Sequence, residues 1–405
     1  LHGNLRGIIE HMDDIQNLGI DVLYMTPIFK SYSSHKYDII DYYQIDPSFG
    51  TTEDLRELVH EAHKRGMKIV MDAVFNHTGR EFFAFEDIME KGEKSKYLDW
   101  YYIEKFPLES ERGEIPNYKC FGYYGGMPKL NLKNPEVEKF FTDVACYWIK
   151  ECDIDGWRMD VGDEISHYFW KNFRRAVKAV KKDMLIIGEI WHYAGDFLEG
   201  DEWDTVMNYP FYLNLIDLLA DEKINVSQFI QNLGYLKGRL NKKCYPLMWN
   251  LIDSHDTARF LHLCNDNKKK QHLAAAFQLL LPGMPMIYYG DEYAMPGAND
   301  PDCRRGMYWD EEYQDKEMFE WYKQLLKVRK NHACIVEGEP MEIAARDGEE
   351  TIVLTRKNGE ETLALIFNCS SSARVFHEYA QKYDLLREKS FDGKIEGLDA
   401  AVIVL

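Results

Sequence analysis

Short runs of aliphatic and β-branched residues alternate with longer amphipathic stretches over most of the chain. The strand-like runs 68–74 and 185–190 each follow a helix-like stretch, 52–65 and 168–181. This alternation is typical of βα units, because two parallel strands need a long crossover between them and a helix usually supplies it. The pattern therefore predicts an α/β protein built around a parallel sheet.

Seven strand-like runs can be counted in this part of the chain. A closed (β/α)8 TIM barrel has one more, and the missing first strand would precede Leu1. The chain is then a fragment of a longer product, a truncated but folded barrel, or a degenerate relative. An open barrel would leave two strand edges unpaired, which favours aggregation. The predicted strands are residues 22–25, 68–74, 155–161, 185–190, 205–208, 249–254 and 286–290.

Two segments depart from the alternation. Residues 79–130 are rich in Tyr, Phe and Gly and are too long for an ordinary connection, which predicts an inserted subdomain after the third barrel strand. The barrel would then comprise residues 1–78 and 131–330. Residues 331–405 show short alternating runs and turn signals such as Asn358-Gly359, which predict a C-terminal antiparallel β-sandwich domain.

Charge and composition limit the classes of partner. The chain has 49 Lys and Arg against 68 Asp and Glu, a formal net charge of −19, which disfavours nucleic acid and anionic membrane surfaces. No apolar run approaches the roughly 20 residues that span a bilayer. The eight cysteines are scattered without a CxxC pair, so we interpret them as reduced thiols in a cytoplasmic protein.

Acidic residues fall where predicted strands end. Asp160, Glu189 and Asp256 each lie at the carboxyl end of a different strand, and Asp72 ends another. In a parallel barrel, active sites are built at that rim. Since ionisable groups are costly to desolvate, we favour a catalytic role over the alternative of buried ion pairs that orient loops.

A pair of carboxylates is what glycosidic bond cleavage requires, because one protonates the departing oxygen while the other attacks the anomeric carbon or activates water. Arg158 precedes Asp160 by two residues on the same strand and should point to the same side, where it would keep Asp160 ionised. Glu189, flanked by Ile190 and Trp191, is the better candidate for a raised pKa and for the acid role.

Four ordered segments resemble conserved regions of the α-amylase superfamily of glycoside hydrolases, family 13. They are residues 72–77, 156–160, 188–189 and 254–256. Residues 127–131, with the sequence MPKLN, further resemble the fifth region of the cyclomaltodextrinase, neopullulanase and maltogenic amylase subfamily. Residues 299–304 do so as well.

This resemblance implies a double-displacement mechanism with retention. Asp160 would be the nucleophile, Glu189 the general acid/base and Asp256 a third carboxylate that stabilises the transition state. Asn76 resembles a calcium ligand of the family's amylases, but a single Asn does not make a site for a cation that prefers six to eight oxygens. No cofactor is therefore expected to be required, and calcium stays an alternative that the sequence does not support. The substrate-binding residues implied are Tyr37, His77, Arg158, Trp191, His255, Asp300 and Arg304.

The expected activity is hydrolysis of α-1,4-glucosidic bonds in cyclodextrins, pullulan and starch-derived malto-oligosaccharides, together with transglycosylation. Two alternatives stay open: an exo-acting α-glucosidase of the same superfamily and a truncated, inactive glycan-binding relative. The fifth-region motif speaks against the first and the complete set of acids against the second. The expected partner is an α-glucan, with no nucleic acid and no membrane, and the subfamily's mode of assembly suggests a homodimer.

Overall fold

The structure is a computed structural model that describes residues 3–109 and 115–405. The chain forms two compact units. Unit 1 consists of Leu1–Gln16, Ile20–Ile190 and Asp196–Val206, and unit 2 of Asn17–Gly19, Trp191–Gly195 and Met207–Leu405. The predicted domain boundaries after residues 78, 130 and 330 stay a prediction.

The strands of unit 1 are β1 (Val22–Tyr24), β2 (Phe29–Ser31), β3 (Ile39–Ile45), β4 (Lys68–Ala73), β5 (Gly156–Met159), β6 (Leu185–Gly188) and β7 (Thr205–Val206). Five of them form a parallel sheet in the order β1, β4, β5, β6, β7, and β2 pairs with β3 in an antiparallel ribbon. Each of the five begins within one residue of its predicted start. The prediction of a parallel sheet is therefore confirmed.

The register of this sheet aligns the strand ends. Asp72 on β4 pairs with Arg158 on β5, and Met159 on β5 pairs with Gly188 on β6. The ladder continues one residue further, because the Asp160 amide donates to the Ala73 carbonyl at 3.2 Å and the Glu189 amide to the Met159 carbonyl at 3.0 Å. Asp160 and Glu189 therefore occupy matching positions at the carboxyl edge of neighbouring strands.

The strands of unit 2 are β8 (Trp249–Asn250), β9 (Met284–Pro285), β10 (Glu339–Arg346), β11 (Thr351–Asn358), β12 (Glu361–Asn368), β13 (Arg374–Val375), β14 (Tyr383–Asp384), β15 (Lys389–Ser390), β16 (Lys394–Ile395) and β17 (Asp399–Val404). β8 and β9 pair in parallel, whereas β10, β11, β12, β17, β14 and β15 form an antiparallel sheet in that order. Residues 359 and 360 alone connect β11 to β12, and Gly359 supplies the positive φ of 61° that this tight turn needs. The predicted C-terminal antiparallel sheet is confirmed.

The α-helices carry the signals that begin and bury them. Thr51 and Asp54 form a reciprocal capping box at the start of α3, and Leu55, Leu58 and Val59 are buried along its inner face. Burial of each such side chain contributes roughly 1.5–3 kcal/mol. None of the helices in the described ranges combines the length and the apolar character needed to cross a bilayer. The α-helices are α1 (Leu5–Glu10), α2 (Met12–Leu18), α3 (Thr52–Lys64), α4 (Phe83–Lys91), α5 (Pro135–Cys152), α6 (His167–Val180), α7 (Tyr209–Leu219), α8 (Val226–Arg239), α9 (Phe260–Leu263), α10 (Lys268–Leu280), α11 (Lys316–Asn331) and α12 (Cys334–Glu337).

Two details of the sequence prediction are corrected. The helical region expected over 211–240 is divided into α7 and α8, because Glu222 takes a left-handed conformation and Asn225 caps a new helix with Gln228. The strand expected at 286–290 lies earlier, at β9, and is only two residues long.

The predicted insertion, residues 79–130, lies within unit 1. It contains α4 and a series of isolated antiparallel bridges, among them Ile103 with Tyr118 and Cys120 with Pro128. Residues 110–114 lie outside the described residues. That this stretch is a separate subdomain stays a prediction.

Candidate active site

The Arg158 guanidinium is the centre of the charged cluster in unit 1. Its Nη1 lies 3.0 Å from Asp72 Oδ2 and 3.0 Å from Asp160 Oδ1, and its Nη2 lies 3.0 Å from Glu189 Oε2. The Arg158 side chain is fully buried. One cation therefore contacts the carboxylates at the ends of β4, β5 and β6, which makes Asp160 and Glu189 neighbours.

Electrostatics within this cluster act in opposite directions. Burial alone would lower the pKa of Arg158, but the charges of Asp72 and Glu189 raise it well above its ordinary value. Burial raises the pKa of Asp72 to about 6, against the opposing effects of Arg158 and of the Tyr24 hydroxyl. Tyr24 and Tyr37 each donate a hydrogen bond to Asp72 Oδ2, at 2.7 and 3.0 Å. Asp72 is thus held by three donors although it is almost inaccessible to water.

A strained residue orients Glu189. Val161 follows Asp160 and has a φ of 47° and a ψ of 42°, in the left-handed region that β-branched residues rarely adopt. In that conformation its amide donates to Glu189 Oε2 at 2.8 Å. Strain of this kind persists only where the surroundings enforce it, and it often marks functional sites.

The wall behind these residues is aromatic. The buried Trp203 indole stacks on Phe197, with ring centres 4.1 Å apart, and covers Gly188 and Gly162. A Cβ atom at Gly188 would overlap the indole. Glycine at this position therefore allows the strand that ends in Glu189 to lie directly against the ring.

His77 and Tyr37 meet at the same edge of unit 1. His77 Nε2 lies 3.0 Å from the Tyr37 carbonyl oxygen, and its ring stacks on Phe121 at 5.1 Å. Burial lowers the pKa of His77 to about 4, so the imidazole is neutral near pH 7 and donates to that carbonyl. A neutral ring suits hydrogen bonding to sugar hydroxyls.

The donor set around Asn76 does not fit a calcium ion. The Lys129 ammonium hydrogen-bonds to Asn76 Oδ1, the oxygen that would coordinate the metal, and also lies 2.8 Å from Glu164 Oε2. Within the described ranges, no group of three or more His, Cys, Asp or Glu side chains is arranged to hold a metal ion. The expectation that no cofactor is needed stays a prediction.

A second polar cluster lies in unit 2 around Asp256. His255 Nε2 lies 3.1 Å from Asp256 Oδ2, and Arg304 Nη2 lies 3.4 Å from Asp256 Oδ1. Arg304 Nε contacts both the His255 carbonyl oxygen and Asp300 Oδ1 at 2.9 Å. The Asp256 side chain stays 28% exposed, which leaves it accessible to a polar ligand. Four of the predicted site residues are therefore in mutual contact.

Trp191 joins this second cluster through Tyr209. The two rings stack with centres 3.8 Å apart and an angle of 13°, and Trp191 is 40% exposed. The Tyr209 hydroxyl lies 3.3 Å from Ser254 Oγ, which in turn accepts the Asp256 amide at 3.1 Å. An exposed indole is thus fixed beside the segment that carries Asp256.

The structure places every predicted site residue in one of two groups, one within each unit. Sequence reasoning paired Arg158 with Asp160 alone and missed its contact with Glu189. Further residues that it missed are Tyr24, Val161, Trp203, Phe121 and Tyr209. For Tyr24 there was a signal, since it lies near the carboxyl end of β1 just as Asp72 does on β4.

The chain is similar to proteins of known family and structure. A profile described as alpha amylase, catalytic domain, matches residues 1–318. The chain is 46% identical over 371 residues to a cyclomaltodextrinase of Geobacillus thermopakistaniensis strain MAS1, covering 92% of this chain and 63% of that protein. It is 47% identical over 337 residues to neopullulanase 2 of Thermoactinomyces vulgaris, covering 83% of this chain and 57% of that protein.

Among solved structures, a cyclomaltodextrinase matches with a TM-score of 0.94 and 38% identity, covering 99% of this chain and 71% of that one. These similarities imply a TIM-barrel fold, of which the parallel sheet of unit 1 is one part. The chain spans less than two thirds of the length of the two curated relatives, 63% and 57%.

Proposed function

The chain belongs to the α-amylase family, and on that premise we propose that it is a retaining glycoside hydrolase that cleaves α-1,4-glucosidic bonds. The observation that carries the proposal is the contact of one buried guanidinium, Arg158, with the carboxylates of Asp160 and Glu189 on adjacent strands. Retaining enzymes need two carboxyl groups close together, about 5–5.5 Å apart.

Asp160 is the nucleophile in this proposal. Arg158 Nη1 lies 3.0 Å from its Oδ1, which favours the charged carboxylate that attacks the anomeric carbon. As that bond forms, the glycosidic C–O bond breaks and Glu189 gives its proton to the departing oxygen. In the second step Glu189 takes a proton from water, and the water oxygen displaces Asp160 from the sugar.

Glu189 Oε2 accepts from the Val161 amide and lies 3.0 Å from Arg158 Nη2. An oxygen that accepts an N–H and lies beside a cation does not itself carry the acidic proton. We therefore assign the transferred proton to Oε1. Asp256, fixed by His255 and Arg304, is the third carboxylate and binds sugar hydroxyls as the ring distorts.

The remaining predicted residues would bind the glucan. Tyr37 and Trp191 offer rings for stacking on the apolar face of glucose, and stacking suits a neutral polyol better than charge does. His77, Arg158, His255, Asp300 and Arg304 offer donors and acceptors to its hydroxyls. The names of the two relatives support cyclodextrins and pullulan as substrates. Starch-derived malto-oligosaccharides as further substrates and transglycosylation as a side reaction belong to the same proposal.

The finer architecture belongs to the same proposal. An eight-stranded barrel, interrupted after its third strand by a subdomain at 79–130 and followed by a β-sandwich from residue 331, accounts for the parallel and antiparallel sheets. A cytoplasmic location, inferred from the scattered cysteines, and a homodimer, suggested by the family resemblance, both stay predictions.

Incubation of the purified chain with γ-cyclodextrin, pullulan and maltotriose tests the proposal. We expect hydrolysis with products of retained α configuration, read by NMR of the anomeric protons. Products of inverted configuration would exclude Asp160 as nucleophile. Turnover of maltotriose alone would favour the exo-acting α-glucosidase, and binding without turnover would favour the inactive glycan-binding protein.

Glu189→Gln isolates the acid role. The amide keeps the shape and can still accept from the Val161 amide, but it supplies no proton, so kcat should fall by about 10²–10⁴-fold or more. The dissociation constant for γ-cyclodextrin, measured by calorimetry, should stay within about threefold. Glu90→Gln, at an exposed position of α4, is the matched control and should retain wild-type kcat. Wild-type rates in Glu189→Gln would contradict the proposed role.

A further inference from the structure

A second buried arginine lies in unit 2, apart from the residues assigned to catalysis. Arg259 is fully buried, and its Nη1 lies 3.1 Å from Asp291 Oδ1. Its guanidinium carbon lies 4.4 Å from the centre of the Tyr288 ring and 5.1 Å from that of Tyr289. The cation is thus enclosed by two aromatic rings and a carboxyl group.

Two carboxyl groups share this single cation. Asp253 and Asp291 are each only 1% exposed, and each influences the pKa of the other, which places the two carboxyl groups side by side. Two carboxylates have no hydrogen atom to share, so a hydrogen bond between them requires a proton. Asp253 Oδ1 and Asp291 Oδ2 are both buried, and neither has a hydrogen-bond partner among the described residues.

The charge balance of the buried cluster also requires a proton between the two carboxyl groups. If both acids were ionised, Arg259 would neutralise one of them and a second negative charge would stay buried, which is costly. One proton between the acids makes the trio neutral, as in other sites where two carboxyls face each other. Burial raises the pKa of both acids, that of Asp291 well above its ordinary value.

The neighbouring titratable groups do not offer another cation. Glu292 accepts the Gly290 amide at 2.8 Å, and burial raises its pKa to about 7. The phenols around the pair are neutral near pH 7, and burial raises the pKa of the Tyr322 hydroxyl well above its ordinary value. The charged and titratable groups that face Asp253 and Asp291 are Arg259, Glu292, Tyr212, Tyr288, Tyr289 and Tyr322.

Asp253 connects this trio to the loop that carries Asp256. Its Oδ2 accepts the Phe260 amide at 2.7 Å, so the carboxylate at the start of the loop binds the backbone at the loop's end. Between them, the Ser254 amide donates to Thr257 Oγ1 at 3.0 Å. The Arg259 amide donates to the Gly297 carbonyl at 3.0 Å, which ties the same loop to the segment before Asp300.

We propose that Asp253 and Asp291 share one proton, donated by Asp291 Oδ2 to Asp253 Oδ1, and that this hydrogen bond positions the loop bearing Asp256. Asp253, Arg259 and Asp291 are then positioning residues rather than catalytic ones. Loss of the proton leaves two facing anions, and their repulsion moves Asp253 away from Asp291. This movement weakens the hydrogen bond from the Phe260 amide to Asp253. The step from loop position to rate rests on the proposed function of Asp256.

Asparagine replacements test the proton directly. In Asp291→Asn, the amide donates to Asp253 without a titratable proton, and in Asp253→Asn the amide donates to an ionised Asp291. Infrared difference spectra at pH 8 should show the carbonyl band of a protonated carboxyl group in wild type minus either variant. Asp221→Asn, at an exposed position of unit 2, should keep the protonated carboxyl group, so the band should be absent from the spectrum of wild type minus this variant. Identical spectra for wild type and both variants would overturn the shared proton.

The pH profile tests the positioning. For γ-cyclodextrin, wild-type kcat/KM should fall on the alkaline side as the shared proton is lost, and both asparagine variants should extend activity by at least one pH unit. At pH 6 their kcat/KM should stay within about fivefold of wild type. If the infrared band is present but the alkaline limb does not move, the link to the Asp256 loop is wrong. If wild type hydrolyses nothing, the proposed function fails, while the infrared result still decides the shared proton.

Discussion

Arg158 in unit 1 and Arg259 in unit 2 are both fully buried and both face more than one carboxyl group, but their surroundings differ. Asp160 and Glu189 at Arg158 are 6% and 7% exposed, whereas Asp253 and Asp291 at Arg259 are each 1% exposed. Arg158 uses both terminal nitrogens on carboxylates, while Arg259 has aromatic rings over its guanidinium.

This difference in exposure indicates that the two buried arginine–carboxyl clusters have different functions. At Arg158, carboxylates at a strand edge retain some access, so a ligand can displace water and meet them in a charged state. At Arg259, the carboxyls are sealed, and charge balance is reached with a proton. The first arrangement suits chemistry on a substrate, and the second suits the fixing of a backbone segment.

Removal of the two cations should produce the largest effects. Arg158→Met and Arg259→Met each leave a buried carboxylate without its partner, which should lower the free energy of unfolding by about 3–5 kcal/mol. Only Arg158→Met should abolish γ-cyclodextrin hydrolysis, because only Arg158 contacts Asp160 and Glu189. Chemical denaturation and initial rates, taken at a temperature where both variants are folded, give the two quantities.

The exposed Arg6, paired with Glu57 on the surface, supplies the control. Arg6→Met should change neither stability nor rate measurably, because exposed ion pairs contribute little. Equal loss of activity in Arg158→Met and Arg259→Met would break the comparison, since it would give both arginines the same function.

Removal of one hydrogen-bond donor to Asp72 should lower the free energy of unfolding by a smaller amount that depends on pH. Burial raises the pKa of Asp72 from 3.8 to about 6, so the folded chain retains a proton that the unfolded chain releases. The stability that Asp72 contributes is fully present below about pH 4 and is lost as the pH rises through 6. Tyr24→Phe removes a donor to the ionised form, raises this pKa further and extends the loss to higher pH.

For Tyr24→Phe, the deficit in the free energy of unfolding should therefore be small at pH 5 and reach about 1.5–3 kcal/mol at pH 8, the range for hydrogen bonds to charged groups. Urea unfolding at several pH values measures it, and Tyr168→Phe on the exposed face of α6 should show no such trend. A deficit independent of pH would mean that Asp72 is ionised in the folded state throughout, and that Arg158 alone decides its charge.

The sequence could predict the parallel sheet and the acids at its edge because both follow from local pattern. Alternation identifies βα units, and the carboxyl ends of parallel strands meet at one edge. The contact between Arg158 and Asp160 followed from their spacing of two residues on β5. What the sequence could not provide is the register between strands, which alone brings Asp72 and Glu189 to the same guanidinium.

The sequence also could not predict backbone conformations that a residue rarely adopts, or contacts between residues far apart in the chain. Nothing local predicts a left-handed valine at position 161, and nothing predicts that Lys129 occupies the oxygen of Asn76, which is distant in sequence. The sequence does not predict the shared proton of unit 2 for the same reason. Asp253, Arg259 and Asp291 look like ordinary charged residues until burial and packing show that one cation serves two acids.

The smallest expected change in stability concerns the two backbone amides that donate hydrogen bonds to carboxyl groups of the two clusters. Val161 reaches Glu189 from a left-handed conformation, whereas Phe260 reaches Asp253 as the first residue of α9. A left-handed conformation costs a β-branched residue about 1–2 kcal/mol, so Val161→Gly relieves strain while it adds unfolded-state entropy and loses side-chain packing. The free energy of unfolding should change by less than about 1 kcal/mol, and kcat should persist because the amide remains. Val22→Gly, at a partly buried position of β1 in an ordinary extended conformation, gains no such relief and should be the more destabilised in thermal unfolding. If Val161→Gly loses as much stability as Val22→Gly, the left-handed Val161 stores no strain and the contrast with Phe260 is wrong.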